Sequence, residues 1–185
     1  NELGTREKLW LYKAHLWYSF LTQDFLSCYK YALKWVDLFY ENKDMIVLNP
    51  VFFLRGNHYL LESLFYLRQY KKFRFSLSRL EAITKEKWFP LDDNIDGLAF
   101  LYIHNNKFNL HFIEGSFVEG LPLVDEVLER LENYKNRIDE HHIMVFYYKI
   151  ASMYFGAGDN KKCIYFLEKI ISNKSLQMRE DLLCF

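Results

Sequence analysis

Tyr147-Tyr148-Lys149-Ile150-Ala151-Ser152-Met153-Tyr154-Phe155-Gly156-Ala157-Gly158-Asp159-Asn160-Lys161-Lys162-Cys163-Ile164-Tyr165-Phe166-Leu167-Glu168-Lys169-Ile170 decides the fold. Apolar residues recur at three- and four-residue intervals on both sides of Gly156-Ala157-Gly158, the spacing of two helices flanking a tight turn. Gly158 suits the left-handed backbone that closes a helix, and Asp159 offers an oxygen to the first N–H groups of the next. Helices joined this closely fold back on one another. Ala151, small and inside the first helix, lets the second approach.

The same pattern extends in both directions. A first helix runs over about 5–21, and Thr22-Gln23-Asp24 makes a polar turn into a second over 24–40. Glu41-Asn42-Lys43-Asp44 reads as a loop. Asn49-Pro50 starts a third helix, since Pro suits the first helical position. It reaches Leu67, and a turn at Arg68-Gln69 leads to a fourth over 70–87. Pro90 ends that pattern, and Asp92-Asp93-Asn94 supplies caps for a fifth helix continuing to about Val118, with Asn105-Asn106 as a place to kink. Leu121-Pro122 opens a sixth, Asp139-Glu140 a seventh and Asp159 an eighth. The chain therefore reads as one domain over 1–185, with helix pairs at about 5–42, 49–87, 93–136 and 139–173. Residues 175–185 read as the opening of a further amphipathic helix. They end on apolar residues, and the chain begins at Asn1, so a fragment of a longer protein is expected.

Composition agrees with helices. Only 7 Gly and 3 Pro occur in 185 residues, too few turn signals for a β-sandwich. Hydrophobic residues make up 51%, enough for a sizeable core, and 17 Phe and 14 Tyr supply much of its volume. The formal net charge is zero, which gives no bulk attraction for nucleic acid. Three cysteines, Cys28, Cys163 and Cys184, show neither metal spacing nor an even count, so a reduced cytoplasmic protein is expected. No apolar run is long enough to span a membrane.

The 147–170 stretch resembles a tetratricopeptide repeat. Tyr147 stands at the family's aromatic position, Ile150-Ala151 at its Leu-Gly position, Tyr154 at its tyrosine and Gly158-Asp159 at its turn. Cys163 matches the small alanine of the second helix, Leu167 the phenylalanine and Ile170 the second alanine. The frame also fits Tyr12, Leu16, Ser19, Cys28, Ala32 and Trp35. It fits Asn57, Leu61, Leu64, Phe73, Leu77 and Leu80, and then Phe108, Phe112, Gly115, Val124, Leu128 and Leu131. Placing the turns at Gln23, Arg68, Glu119 and Gly158 spaces them 45, 51 and 39 residues apart, against about 34 in the family. Leu16, Leu61 and Phe112, with Trp35 and Leu80, are bulky where the family is small, which implies wider helix spacing. The resemblance implies an all-α, right-handed αα-superhelix.

In that family the first helix of each pair lines a concave groove that binds peptide segments. Carried over, the groove would present Trp10, Lys13 and Trp17; Arg55, His58 and Glu62; Asn106 and Asn109; and Val145, Tyr148 and Ser152. Trp, Tyr and Arg are the residues enriched at interaction hot spots. The carboxylate clamp of chaperone-binding members is not reproduced: Lys13 fits, but Trp17, Tyr59, Asn106 and Leu110 do not.

A protein- or peptide-binding scaffold is therefore expected, with a sensor or regulatory domain of a larger signalling or transcription protein as the alternative. No catalytic function, cofactor or metal is expected. Adjacent His141-His142 point to different sides of a helix, and Asp92, Asp93 and Asp96 serve better as caps than as acid–base pairs. His104, His111 and Glu114 share helical spacing and are the one conceivable ligand set for a hydrolytic metal. Lys71-Lys72-Phe73-Arg74-Phe75-Ser76-Leu77-Ser78-Arg79 reads as a solvated outer face rather than a nucleic-acid surface. Self-association through the terminal helix is a further expectation.

Overall fold

The computed structural model describes residues 3–134 and 138–173, and among them every regular element is helical. The 175–185 segment and Cys184 lie outside the described residues. The helices are α1 (Thr5–Leu21), α2 (Phe25–Tyr40), α3 (Lys43–Leu48), α4 (Pro50–Tyr66), α5 (Tyr70–Thr84), α6 (Asp93–Glu114), α7 (Leu121–Asn133), α8 (Glu140–Gly156) and α9 (Asn160–Ile171). No helix is long and apolar enough to cross a membrane among the described residues. The chain divides into two compact units, Asn1–Asn106 and Lys107–Phe185, with α6 running through the division.

In the first unit α1 packs on α2, α2 on α4, and α4 on α5. Their shared core is Leu16, Cys28, Ala32, Trp35, Phe39, Phe53, Leu61, Leu64, Phe73 and Leu80, all essentially inaccessible to solvent. The bulk expected to force helices apart is accommodated at one contact. A Cβ added to Gly56 of α4 would lie 2.8 Å from Trp35 Cδ1 and Nε1. The missing side chain makes room for the indole of α2, so the large residue on one helix meets the smallest on the next. The short α3 begins inside the Glu41–Asp44 stretch read as a loop and runs on to Leu48, opened by the Asn42 side chain, which accepts from the Asp44 N–H at 3.1 Å.

In the second unit α8 packs on α7 and on α9. Val124, Val127, Phe146, Ile150, Met153, Cys163 and Phe166 are buried. Phe108 meets Phe146 edge-on, with ring centroids 6.3 Å apart.

Four helices end in one and the same way. After α8, Gly158 takes φ 83°, its N–H bonds Phe155 O at 3.0 Å, and the Asp159 N–H reaches back to Tyr154 O at 2.9 Å. This pair of hydrogen bonds satisfies two of the carbonyls that a helix end leaves open. After α1, Gln23 (φ 56°) and Asp24 do the same to Phe20 O and Ser19 O. After α4, Arg68 (φ 53°) and Gln69 bond Phe65 O and Leu64 O. After α6, Gly115 (φ 66°) and Ser116 bond Phe112 O and His111 O. The third left-handed turn thus falls at Gly115, not at Glu119-Gly120, and the four turns lie 45, 47 and 43 residues apart. α6 runs through Asn105-Asn106 without a break.

The residue after three of these turns doubles as a helix start. Asp24 accepts from Ser27 N at 3.0 Å to open α2, and Asp159 from Lys162 N at 3.0 Å to open α9. Gln69 takes the same place before α5 without a side-chain bond. Four residues further on stand Cys28, Phe73 and Cys163, all buried. Asp92 caps α6 through Asn94 N and Ile95 N, and Asp139 caps α8 through His142 N. Asn49 precedes Pro50 as expected, but its side chain makes no cap bond.

Candidate functional site

Two indoles stand half in solvent along α1. Trp10 is 49% exposed and Trp17 48%, two turns apart on the same face. Each is braced from α4. Trp10 meets Phe52 edge-on at 5.9 Å, and Trp17 meets Tyr59 edge-on at 5.8 Å. Lys13 lies between them, its Nζ 4.7 Å from the Trp10 ring centroid and 5.8 Å from that of Phe52. Such a contact at a partly exposed site contributes about 0.5–1 kcal/mol. Tyr59 leans in turn on Phe20 and on buried Trp35, so the exposed rings rest on the core.

The α4 residues continue this face. His58 stacks on Tyr102 with centroids 4.3 Å apart and planes within 8°, and its Nε2 lies 3.6 Å from the Glu62 carboxylate. Arg55 is exposed, and its positive charge acts on the Tyr102 phenol. Burial raises the pKa of that phenol and Arg55 opposes the shift. Tyr59 is raised as well, by burial and then by Tyr102. Both phenols therefore stay neutral donors across the physiological range. Trp10, Lys13, Trp17, Arg55, His58 and Glu62 thus join one run of contacts on the first unit.

The remaining groove candidates are placed differently. Asn106 is wholly buried and gives its amide to Tyr102 O at 2.7 Å. In the second unit, Asn109 accepts from the Lys149 ammonium. Val145 is half-buried, Tyr148 is exposed, and Ser152 donates to Tyr148 O at 2.9 Å. Among these five, only Tyr148 offers a ring to solvent.

No group of three His, Cys, Asp or Glu side chains gathers as a metal ion would require among the described residues. His104 Nδ1 pairs with Phe100 O at 3.0 Å, and His111 Nδ1 with Ser116 Oγ at 2.9 Å. The Cys28 thiol is pushed up to about 11 by burial and then by Asp24, which keeps it protonated and inert.

A second feature of the first unit escaped the sequence reading. α2 and α5 both pack on α4 and leave between them a cleft of about 400 Å³. Tyr29, Leu33, Val36 and Tyr40 line it from α2 at helical spacing, Leu60 and Leu64 form its floor, and Lys72, Phe75 and Arg79 face it from α5. The Arg79 guanidinium lies 3.3 Å over the Tyr40 ring, and the Tyr40 hydroxyl donates to Asn57 Oδ1 at 2.9 Å. Burial pushes the Tyr40 phenol up to about 12, against the pull of Arg79. The signal was present as two stripes, 29-33-36-40 and 72-75-79. Exposed basic residues on an outer helix read as solvated until the facing stripe is known.

Comparison with protein-family models, with curated proteins and with solved structures finds no match.

Proposed function

We propose that the chain is a protein- or peptide-binding scaffold, an αα-superhelix of the tetratricopeptide type, whose first helices recognise a segment with apolar and acidic side chains. The observation that carries this reading is the pair Trp10 and Trp17. Each is half exposed, yet each is held edge-on by an α4 ring, with Lys13 between them and Arg55 further along α4. Rings fixed in this way lose little entropy on binding, and flanking cations favour carboxylates. The repeat assignment is supported by the 147–170 motif and by four left-handed turns 45, 47 and 43 residues apart. These units are longer than the family's.

Selection from a displayed peptide library tests the proposal. Wild-type chain should enrich sequences that combine Leu, Ile or Phe with Asp or Glu. A folded Trp10→Ala/Trp17→Ala variant should bind the selected peptide at least tenfold more weakly, as loss of a hot spot of about 2 kcal/mol implies. Equal affinity for the folded variant would remove the assignment.

A further inference from the structure

We propose that the cleft between α2 and α5 binds a small amphipathic anion: an apolar or aromatic body bearing one carboxylate or phosphate group. The inference is independent of the peptide-binding face. The volume, about 400 Å³, lies within the range of small-ligand sites, roughly 300–1,000 Å³. Charge at the rim is lopsided, with Lys71, Lys72 and Arg79 facing one carboxylate, Asp37. None of these three cations is held in an ion pair among the described residues. Lys72 instead reaches the Tyr29 hydroxyl at 3.4 Å, and Arg79 sits over the Tyr40 ring at 3.3 Å, a contact with the ring that does not use its N–H donors on a carboxylate.

The floor includes a polar group. Asn57 is only 1% exposed; its Oδ1 accepts from Tyr40, and its amide nitrogen donates to Phe53 O at 2.9 Å. Asn57 is tied to Tyr40 and Phe53, which leaves Leu60 and Leu64 to meet an apolar body. α4 closes the cleft beneath, which suits a compact molecule with its body inward and its head group at the cations. A nucleic-acid strand would need a longer open track.

Calorimetric titration of the whole chain with three probes of one shape tests this: 1-naphthoate, 1-naphthyl phosphate and neutral 1-naphthalenemethanol. Saturable one-to-one binding is expected for at least one anion, and the tighter of the two names the head group. The alcohol should bind roughly tenfold more weakly or not at all, the scale of one lost charge-assisted bond. Lys71→Gln/Lys72→Gln should weaken the anion by about the same factor. Ser76→Trp, which fills the cleft and keeps the cations, should abolish binding in a chain whose circular dichroism is unchanged. Equal affinity for the alcohol, unaltered binding by the folded double variant, or no binding of either anion at millimolar concentration overturns the proposal. So does tighter binding of a single-stranded oligonucleotide than of both aryl anions.

Discussion

Trp35 can fill the seam between α2 and α4 because Gly56 presents no Cβ to it. Helix propensity alone favours Ala over Gly by about 1 kcal/mol, whereas overpacking a tight core costs about 1–3 kcal/mol. Gly56→Ala should therefore lower stability in a urea titration; a gain would show that the indole yields freely. Gln23 and Arg68 carry the opposite opportunity. Both hold positive φ without being glycine, a conformation that costs an ordinary residue about 1–2 kcal/mol. Gln23→Gly and Arg68→Gly should each stabilise the chain by about 0.5–1 kcal/mol, part of the relief being offset by unfolded-chain entropy. A lower urea midpoint for both would contradict the shared turn geometry. Gly158 was legible in the sequence because its residue type suits a left-handed turn. Gln23 and Arg68 were legible only through the break in helical pattern, and the Trp35–Gly56 fit was hidden because it joins residues 21 positions apart on different helices.

At the scale of elements, acidic caps carry much of the local order. Asp159→Ala removes the bond to Lys162 N and should cost about 1 kcal/mol, the usual value of such a cap. Asp139 and Asp37 should respond to pH with opposite signs. Burial works to raise the Asp139 carboxyl, but bonds from the His142 backbone and ring together hold it below its ordinary 3.8. A depressed folded pKa means stability present above 3.8 and lost as pH falls through the folded value. The deficit of Asp139→Asn against wild type should therefore be full at pH 6 and shrink in strong acid, read from urea midpoints. Asp37 is raised by burial and then by Glu41, with Arg79 opposing. Its ionisation weakens the fold, so Asp37→Asn should be the more stable protein at pH 7, an advantage that fades below its ordinary 3.8. Caps at Asp92, Asp139 and Asp159 fell where the sequence placed them, because short acidic side chains have few other roles beside an apolar period; Asp24, read only as part of a polar turn, caps α2 as well. The end of α6 did not. Apolar residues continue past Gly115 because Phe117 packs against Gly156, and that contact extends the apparent period beyond the helix.

At the scale of the whole molecule, each unit keeps a core of its own, and the functional claim rests on the first. Six of the eleven candidate side chains lie there in one run of ring and charge contacts. The spacing of Trp10, Lys13 and Trp17, and of Arg55, His58 and Glu62, already put each trio on one side of its helix, because residues sharing a helix face share it in any packing. Asn106 was beyond such reasoning: its face is set by α6 packing, which draws it fully inside. The cleft between α2 and α5 was hidden for a similar reason, since two stripes form one cavity only when a third helix fixes their separation. The chain has four tryptophans, two at the proposed face, Trp35 buried, and Trp88 beside Lys43. Their indole N–H signals in a ¹⁵N-labelled sample give the most direct test, followed while a selected peptide is added. Trp10 and Trp17 should shift and saturate together while Trp88 stays in place. Saturated binding with Trp10 and Trp17 unmoved would contradict the account.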